Sequence, residues 1–339
     1  MSNEIHVDKE NIGETKPETA KPETAKPETA KPETAKPETT VNDPEKTETT
    51  AIKSEKKKSK PGAVFYAIGM VLAYMGVQLI FTIARIIKLA MDSLTEAGGD
   101  MVKYQQLYME KVSEASEQLS RDQSIASIAS ALFVAILFYF IVYRKNKAEG
   151  KKNELKSKLF NRYGISFVSF GIVAVLASAL LLQRLAVVIM PNMGAAVSNA
   201  MSAVLGTNEI LGIILAVVLA PIAEEMLVRG IIMKRAKKSF GMVGCIIITT
   251  FAFALLHGNP IQGMYVIPMG IFWGYLCYKY DSVIPGIICH FLQNLLVMFL
   301  PTSKIGIPVW AIIFSVAFVA VMITGKQLKK HESAMQTAA

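Results

Sequence analysis

The chain has 339 residues, 52% of them hydrophobic, with a mean hydropathy of +0.37 and a formal charge of +9. Apolar residues concentrate after residue 60, which leaves that part too apolar for an ordinary soluble enzyme. Cys245, Cys277 and Cys289 all fall in apolar runs, which excludes a disulfide-stapled secreted module and reads as core packing.

Residues 1–60 are expected to form a disordered cytoplasmic tail. KPETA recurs four times from Lys16 to Ala35, and a KPETT variant ends at Thr40. Proline at every fifth position stops a helix, and Lys/Glu alternation leaves nothing to bury, so a solvated, polyproline-like tether is predicted. No apolar core follows Met1, and no secretory signal is expected there.

Apolar runs then occur at Ala63–Ala84, Ile125–Tyr143, Gly164–Met190, Ile210–Met233, Met242–His257, Ile261–Tyr278, Ser282–Leu300 and Ile307–Thr324. A spanning helix needs ~20 mostly apolar residues. The pattern predicts an all-α, polytopic membrane bundle of about eight transmembrane helices. Residues 61–200 hold the N-terminal helices, 201–326 a core that carries the chemistry, and 327–339 a polar C-terminal tail. Gly258, Asn259 and Pro260 part the fifth and sixth runs as a tight hairpin. Between the first two runs, Tyr104, Leu107, Tyr108, Val112, Ala115 and Leu119 recur at helical spacing. They predict an outer amphipathic helix that lies on the membrane or caps the bundle.

Charge gives an expected orientation. Lysines precede the first run. Eight basic residues against Glu149 and Glu154 fill 144–162, and Lys234, Arg235, Lys237 and Lys238 follow the fourth run. Lys326, Lys329 and Lys330 follow the eighth. With eight spans these clusters share one side, which the positive-inside rule makes cytoplasmic together with both termini. The same placement argues for a lipid bilayer rather than nucleic acid as partner. Arg85, Lys88 and Arg184 fall near the opposite ends, where snorkelling accommodates them.

Ionisable groups inside spans cost ~2.5–3.5 kcal/mol each on insertion scales, so each needs a partner or a purpose. Glu225 and Arg229 are four apart with the acid first, and are expected to pair on one helix face. Glu224 points about 100° away and has no local cation. Pro221 removes a backbone hydrogen bond and is expected to free the carbonyl of Val217, a disturbance tolerated beside a wet cavity. His257 closes the fifth run, and His290 and Asn294 share a face of the seventh. The other two histidines, His6 and His331, lie in the tails.

A carboxylate whose charged form is disfavoured by a low-dielectric pocket is a workable general base for water. Imidazoles and an amide can hold that water or stabilise a developing oxyanion. Glu224, His257 and His290 also make a plausible zinc set with water as fourth ligand, although the H-E-x-x-H spacing is absent. Both schemes lead to hydrolysis, with a divalent metal such as zinc or with none. A meeting of the three residues requires the stretch from Ser239 to Gly244 to run partly along the surface or outside the bilayer, and Gly241 and Gly244 allow a non-helical lead-in.

In order, EExxxR at Glu224–Arg229, FxxxH at Phe253–His257 and HxxxN at His290–Asn294 resemble the three motifs of the CPBP intramembrane proteases. That family includes type II CAAX prenyl endopeptidases and the bacteriocin-processing and immunity (Abi) proteins. The resemblance covers roughly residues 208–300. It implies a helix bundle with a water-filled cavity and cleavage of a membrane-associated protein or peptide. By carry-over, Glu224 activates water with His257, Glu225 pairs with Arg229 as structural support, and His290 with Asn294 forms the oxyanion site. The competing readings are a non-enzymatic immunity or scaffold protein, and a proton-coupled transporter using the same Glu and His residues as a relay.

Overall fold

The computed structural model describes residues 60–149, 159–192 and 209–337. The KPETA tail and much of the basic 144–162 connection lie outside the described residues. Among those described there is helix and no strand. α1 (Lys60–Ala97) turns at Gly98 and Gly99 into α2 (Met101–Glu114), and both glycines have positive φ, 59° and 96°. α3 (Ser116–Phe138) continues through a π-helical turn (Tyr139–Tyr143) into Arg144–Ala148. α4 is Arg162–Ile189 and α5 is Ile210–Ala236. α6 (Met242–Leu256) leads into the short α7 (Pro260–Tyr265) and α8 (Ile267–Lys279). α9 (Ile284–Phe299) and α10 (Ile307–Thr337) complete the chain.

All eight apolar runs are helical, but they differ in reach. α1, α4, α5, α10 and the Arg121–Ala148 part of α3 are the five helices long and apolar enough to cross a membrane. α6 and α9 are apolar but only 15 and 16 residues long. The sixth run is broken at Val266, between α7 and α8. α10 continues helically through the expected polar tail, and its Glu332 accepts from Tyr280 Oη and pairs with Lys279. His331 packs at 5.1 Å against the ring of Tyr163.

The core gathers side chains from most of these elements, among them Val71 of α1, Val134 of α3, Val175 of α4, Leu227 and Ile231 of α5, Phe253 of α6 and Trp273 of α8. α10 packs along α4, α8 along α6, and α1 against α2 and α3. Cys245, Cys277 and Cys289 are buried and free, as their apolar settings suggest.

The outer segment is amphipathic, as its spacing indicates. Tyr104, Leu107, Tyr108 and Val112 are half-buried, while Glu110 and Glu114 are exposed. Asp100 caps α2 by accepting from the backbone of Val102 and Lys103. Two of the cations near these helix ends, Arg85 and Arg184, have specific partners. Arg85 donates Nε and Nη2 to both carboxylate oxygens of Asp122, and Arg184 Nη2 donates to the carbonyls of Thr302 and Ile305.

Gly258 has φ +65°, the conformation that turns the chain out of α6. A Cβ in that region costs about 1–2 kcal/mol. Gly258→Ala is therefore expected to destabilise the protein by about 1 kcal/mol, read as a lowered midpoint of thermal unfolding in detergent.

Candidate active site

The site is assembled where α5 packs on α9. Arg229 Nη1 donates to Glu225 Oε1 at 2.7 Å, with both side chains fully sealed. The expected pair forms, but it is not alone. His290 of α9 brings Nδ1 within 3.3 Å of the same carboxylate oxygen. A carboxylate only accepts, so Nδ1 carries the proton in this contact and Nε2 is the ring nitrogen left for other work. Close approach of α9 depends on Gly286, where a Cβ would collide with Glu225 Oε2 and Cys277 Sγ.

Aromatic rings hold the cations and imidazoles in register. Trp273 of α8 stacks on His290 with centroids 4.6 Å apart. The guanidinium of Arg229 lies 4.5 Å from the centroid of Phe253. The same Phe253 meets His257 at 5.0 Å and His290 at 5.5 Å, each edge to face. One side chain of the FxxxH motif thus touches members of all three motifs, and this explains why an aromatic residue stands there.

His257 caps the C-terminal end of α6. Its Nδ1 lies 2.8 Å from the carbonyl of Phe253 and must donate to it, which leaves Nε2 as the acceptor. The expected non-helical lead-in is present but shorter than the Ser239–Gly244 stretch. The chain leaves the helix at Lys237, runs extended at Gly241 (φ −75°, ψ −173°), and re-enters at Met242 with Gly244 already helical.

Asn294 donates Nδ2 to the carbonyl of Ala216 at 2.9 Å. This corrects the expectation that Pro221 frees Val217. Residues Leu215–Leu219 are π-helical, and the N–H of Ala220 bonds the carbonyl of Leu215, five residues back. In that register the missing N–H of Pro221 deprives Ala216, and the amide of Asn294 fills the gap.

Glu224 differs from its neighbour in exposure and in its Oε1 contacts. The residue is half-buried where Glu225 is fully buried, and its Oε2, like that of Glu225, is sealed with no hydrogen-bond partner. It lines a cavity of about 180 Å³, room for several waters at about 30 Å³ each. Across that cavity stand Tyr74 and Gln78 of α1 and Gln123 and Ser127 of α3. Glu224 and His290 lie within electrostatic reach of one another, and Tyr74 and Tyr265 also feel the Glu224 charge. The α1 and α3 residues escaped the motif-based reading. Their only sequence signal is polarity, since Gln78 is an amide inside an otherwise apolar run. Gln293, beside Asn294, is fully buried with neither amide atom hydrogen-bonded.

Among the described residues no group of three His, Cys, Asp or Glu side chains is gathered to hold a metal ion. Nδ1 of each imidazole is engaged, on Phe253 O and on Glu225, so each Nε2 is the ring nitrogen left open. No step below is routed through a metal.

Residues 206–296 match a family model described as type II CAAX prenyl endopeptidase Rce1-like. This stretch is similar to an Rce1-like endopeptidase domain. The match takes in all three motifs, agrees with the CPBP resemblance, and with the apolar helices makes the chain an integral membrane protein. No curated protein and no solved structure matches the chain.

Removing one partner of a fully buried pair leaves an uncompensated charge, at about 3–5 kcal/mol. Arg229→Ala is expected to reduce accumulation of the protein and its thermal stability by that order, as measured by quantitative blotting and melting in detergent. Asn294→Leu leaves the Ala216 carbonyl unpaired and is expected to cost about 1–3 kcal/mol, measured in the same melting assay.

Proposed function

We propose that the protein is an intramembrane endopeptidase that hydrolyses a peptide bond in a membrane-associated protein or peptide, with Glu224 as the general base. The observation that carries this reading is the contrast between two adjacent carboxylates. Glu225 is tied through Oε1 to Arg229 and His290, whereas Glu224 has neither contact and lines the cavity, although the Oε2 of each acid lacks a hydrogen-bond partner.

In this reading water in the cavity gives a proton to Glu224 as its oxygen attacks the scissile carbonyl carbon. Glu224 then returns that proton to the leaving amide nitrogen as the C–N bond breaks. His257 Nε2 helps to hold the water. His290, with Nδ1 fixed by Glu225, and Asn294, fixed by Ala216, are the candidates to steady the charge that develops on the carbonyl oxygen. Their anchoring supports the role, because preorganised groups need no reorganisation at the moment of reaction. An unwound substrate segment at membrane depth needs partners for its N–H and C=O groups. Gln78, Gln123 and Tyr74 on the opposite wall are suited to supply them.

The test uses the purified full chain in lipid vesicles with a prenylated CAAX peptide and with host membrane proteins, reading new termini by mass spectrometry. Wild type is expected to cleave, and Glu224→Gln to lose at least about 100-fold in rate. Undiminished cleavage by that variant would remove Glu224 as the base. Absence of cleavage by wild type in every arm, with proton flux or immunity instead, would overturn the enzyme reading.

A further inference from the structure

A second recess lies away from Glu224, about 15 Å along α5, counting ~1.5 Å for each residue from Glu224 to Lys234. It is a groove of about 360 Å³ where the first turns of α1, the end of the α3 continuation and the end of α5 come together. Its floor is apolar, from Tyr66, Ile141 and Ile231. Its rim is cationic, from Lys145, Lys234, Arg235 and Lys238, and among the described residues no acidic side chain lines it. Two of these heads are held in place. Lys234 Nζ donates to Asn146 Oδ1 at 2.7 Å, and Arg235 Nη1 donates to Ser239 Oγ at 3.0 Å. Lys145 also meets the exposed Glu149 at 3.7 Å, a weak surface pairing. Lys237, the fifth cation of this end, is turned away toward Asp281 and Tyr278.

Three helices capable of crossing a membrane supply this groove, each from within a few residues of the same end. That end coincides with headgroup depth for all three. Four cations over an apolar floor match an anionic phosphate diester joined to hydrocarbon. A guanidinium and ammonium groups bind phosphate oxygens by charge-assisted hydrogen bonds, and basic pockets between membrane helices hold anionic headgroups. A zwitterionic choline headgroup brings a cation of its own into the same field.

We propose that this groove is a binding site for an anionic phospholipid, gripping the headgroup phosphate with Lys145, Lys234, Arg235 and Lys238 and its glycerol end on Tyr66, Ile141 and Ile231. The site is separate from the hydrolytic one, so its success or failure leaves the assignment of Glu224 untouched.

The experiment is native mass spectrometry of the full chain in detergent, titrated with phosphatidylglycerol, with phosphatidylcholine, or with inorganic phosphate. The expected result is saturable retention of phosphatidylglycerol over phosphatidylcholine, with phosphate alone bound far more weakly. Each neutralised cation is expected to weaken retention about fivefold, and Lys145→Gln with Lys238→Gln together about 25-fold. Lys237→Gln, outside the groove, is expected to leave it unchanged and controls for bulk charge. Melting curves without lipid confirm that the variants remain folded. Equal retention of the two lipids, undiminished retention by the double variant, an equal loss in Lys237→Gln, or phosphate binding as tight as the lipid would each overturn the proposal.

Discussion

A carboxylate sealed among apolar helices is tolerable only when its charge is matched at close range, and Glu225 sets this condition for the whole core. Its oxygen accepts from Arg229 at 2.7 Å and faces His290 at 3.3 Å, so α5 cannot shift against α9 without exposing an unpaired charge. Breaking such a pair costs more than making it gains, because desolvation has already occurred. The surrounding choices follow from that condition. Gly286 lets α9 come close, Trp273 covers His290, and Phe253 lies against the guanidinium. Once Arg229 is committed to Glu225, the other cations of α5, Lys234 and Arg235, stand at its far end. The asymmetry between the two neighbouring acids is thus a consequence of packing as much as of catalysis.

A second tie runs between the same helices. His290 meets Glu225 late in α5, whereas Asn294, further along α9, meets Ala216 early in α5. Contacts in that reversed order require antiparallel helices. The tie at Ala216 exists because Pro221 falls just beyond a π-helical stretch, whose i→i+5 pattern moves the vacant acceptor one residue toward the N-terminus. A proline in an ordinary α-helix would have exposed a carbonyl one residue later, on a different face. The wide turn and the asparagine therefore depend on one another.

This dependence marks the boundary of what was legible in the sequence. Local spacing carried the helical class, the Glu225–Arg229 pair, the amphipathic α2 and the unpaired state of Glu224, because each rests on periodicity within one helix. Local spacing could not carry contacts between helices. Nothing in the run His290–Asn294 says that its histidine faces Glu225 while its asparagine faces Ala216. Similarly, Arg85 looked like a snorkelling cation until Asp122, on another helix, was found opposite it. The Tyr74 and Gln78 wall was visible only as misplaced polarity, since its purpose depends on α1 standing across the cavity from α5. The eight-run count placed α6 and α9 to within two residues at each end, but not the full extent of α1 or the break at Val266, for hydropathy does not register where a helix continues past its apolar stretch or is interrupted within it.

Those lengths matter to the chemistry. α6 begins just after Lys237 and Lys238 and has 15 residues, a rise of ~22 Å against a hydrocarbon thickness of ~30 Å. A helix this short ends inside the apolar layer, where its last carbonyls and the following turn need partners. His257 answers part of that need by bonding the Phe253 carbonyl, and Asn259 caps the next helix by accepting from the N–H of Gln262. Polar backbone at such depth persists where it is buried in protein or borders a wet cavity. The shortness of α6, already marked in the sequence by the turn at Gly258, therefore sets how far along the helix axis the imidazole of His257 falls.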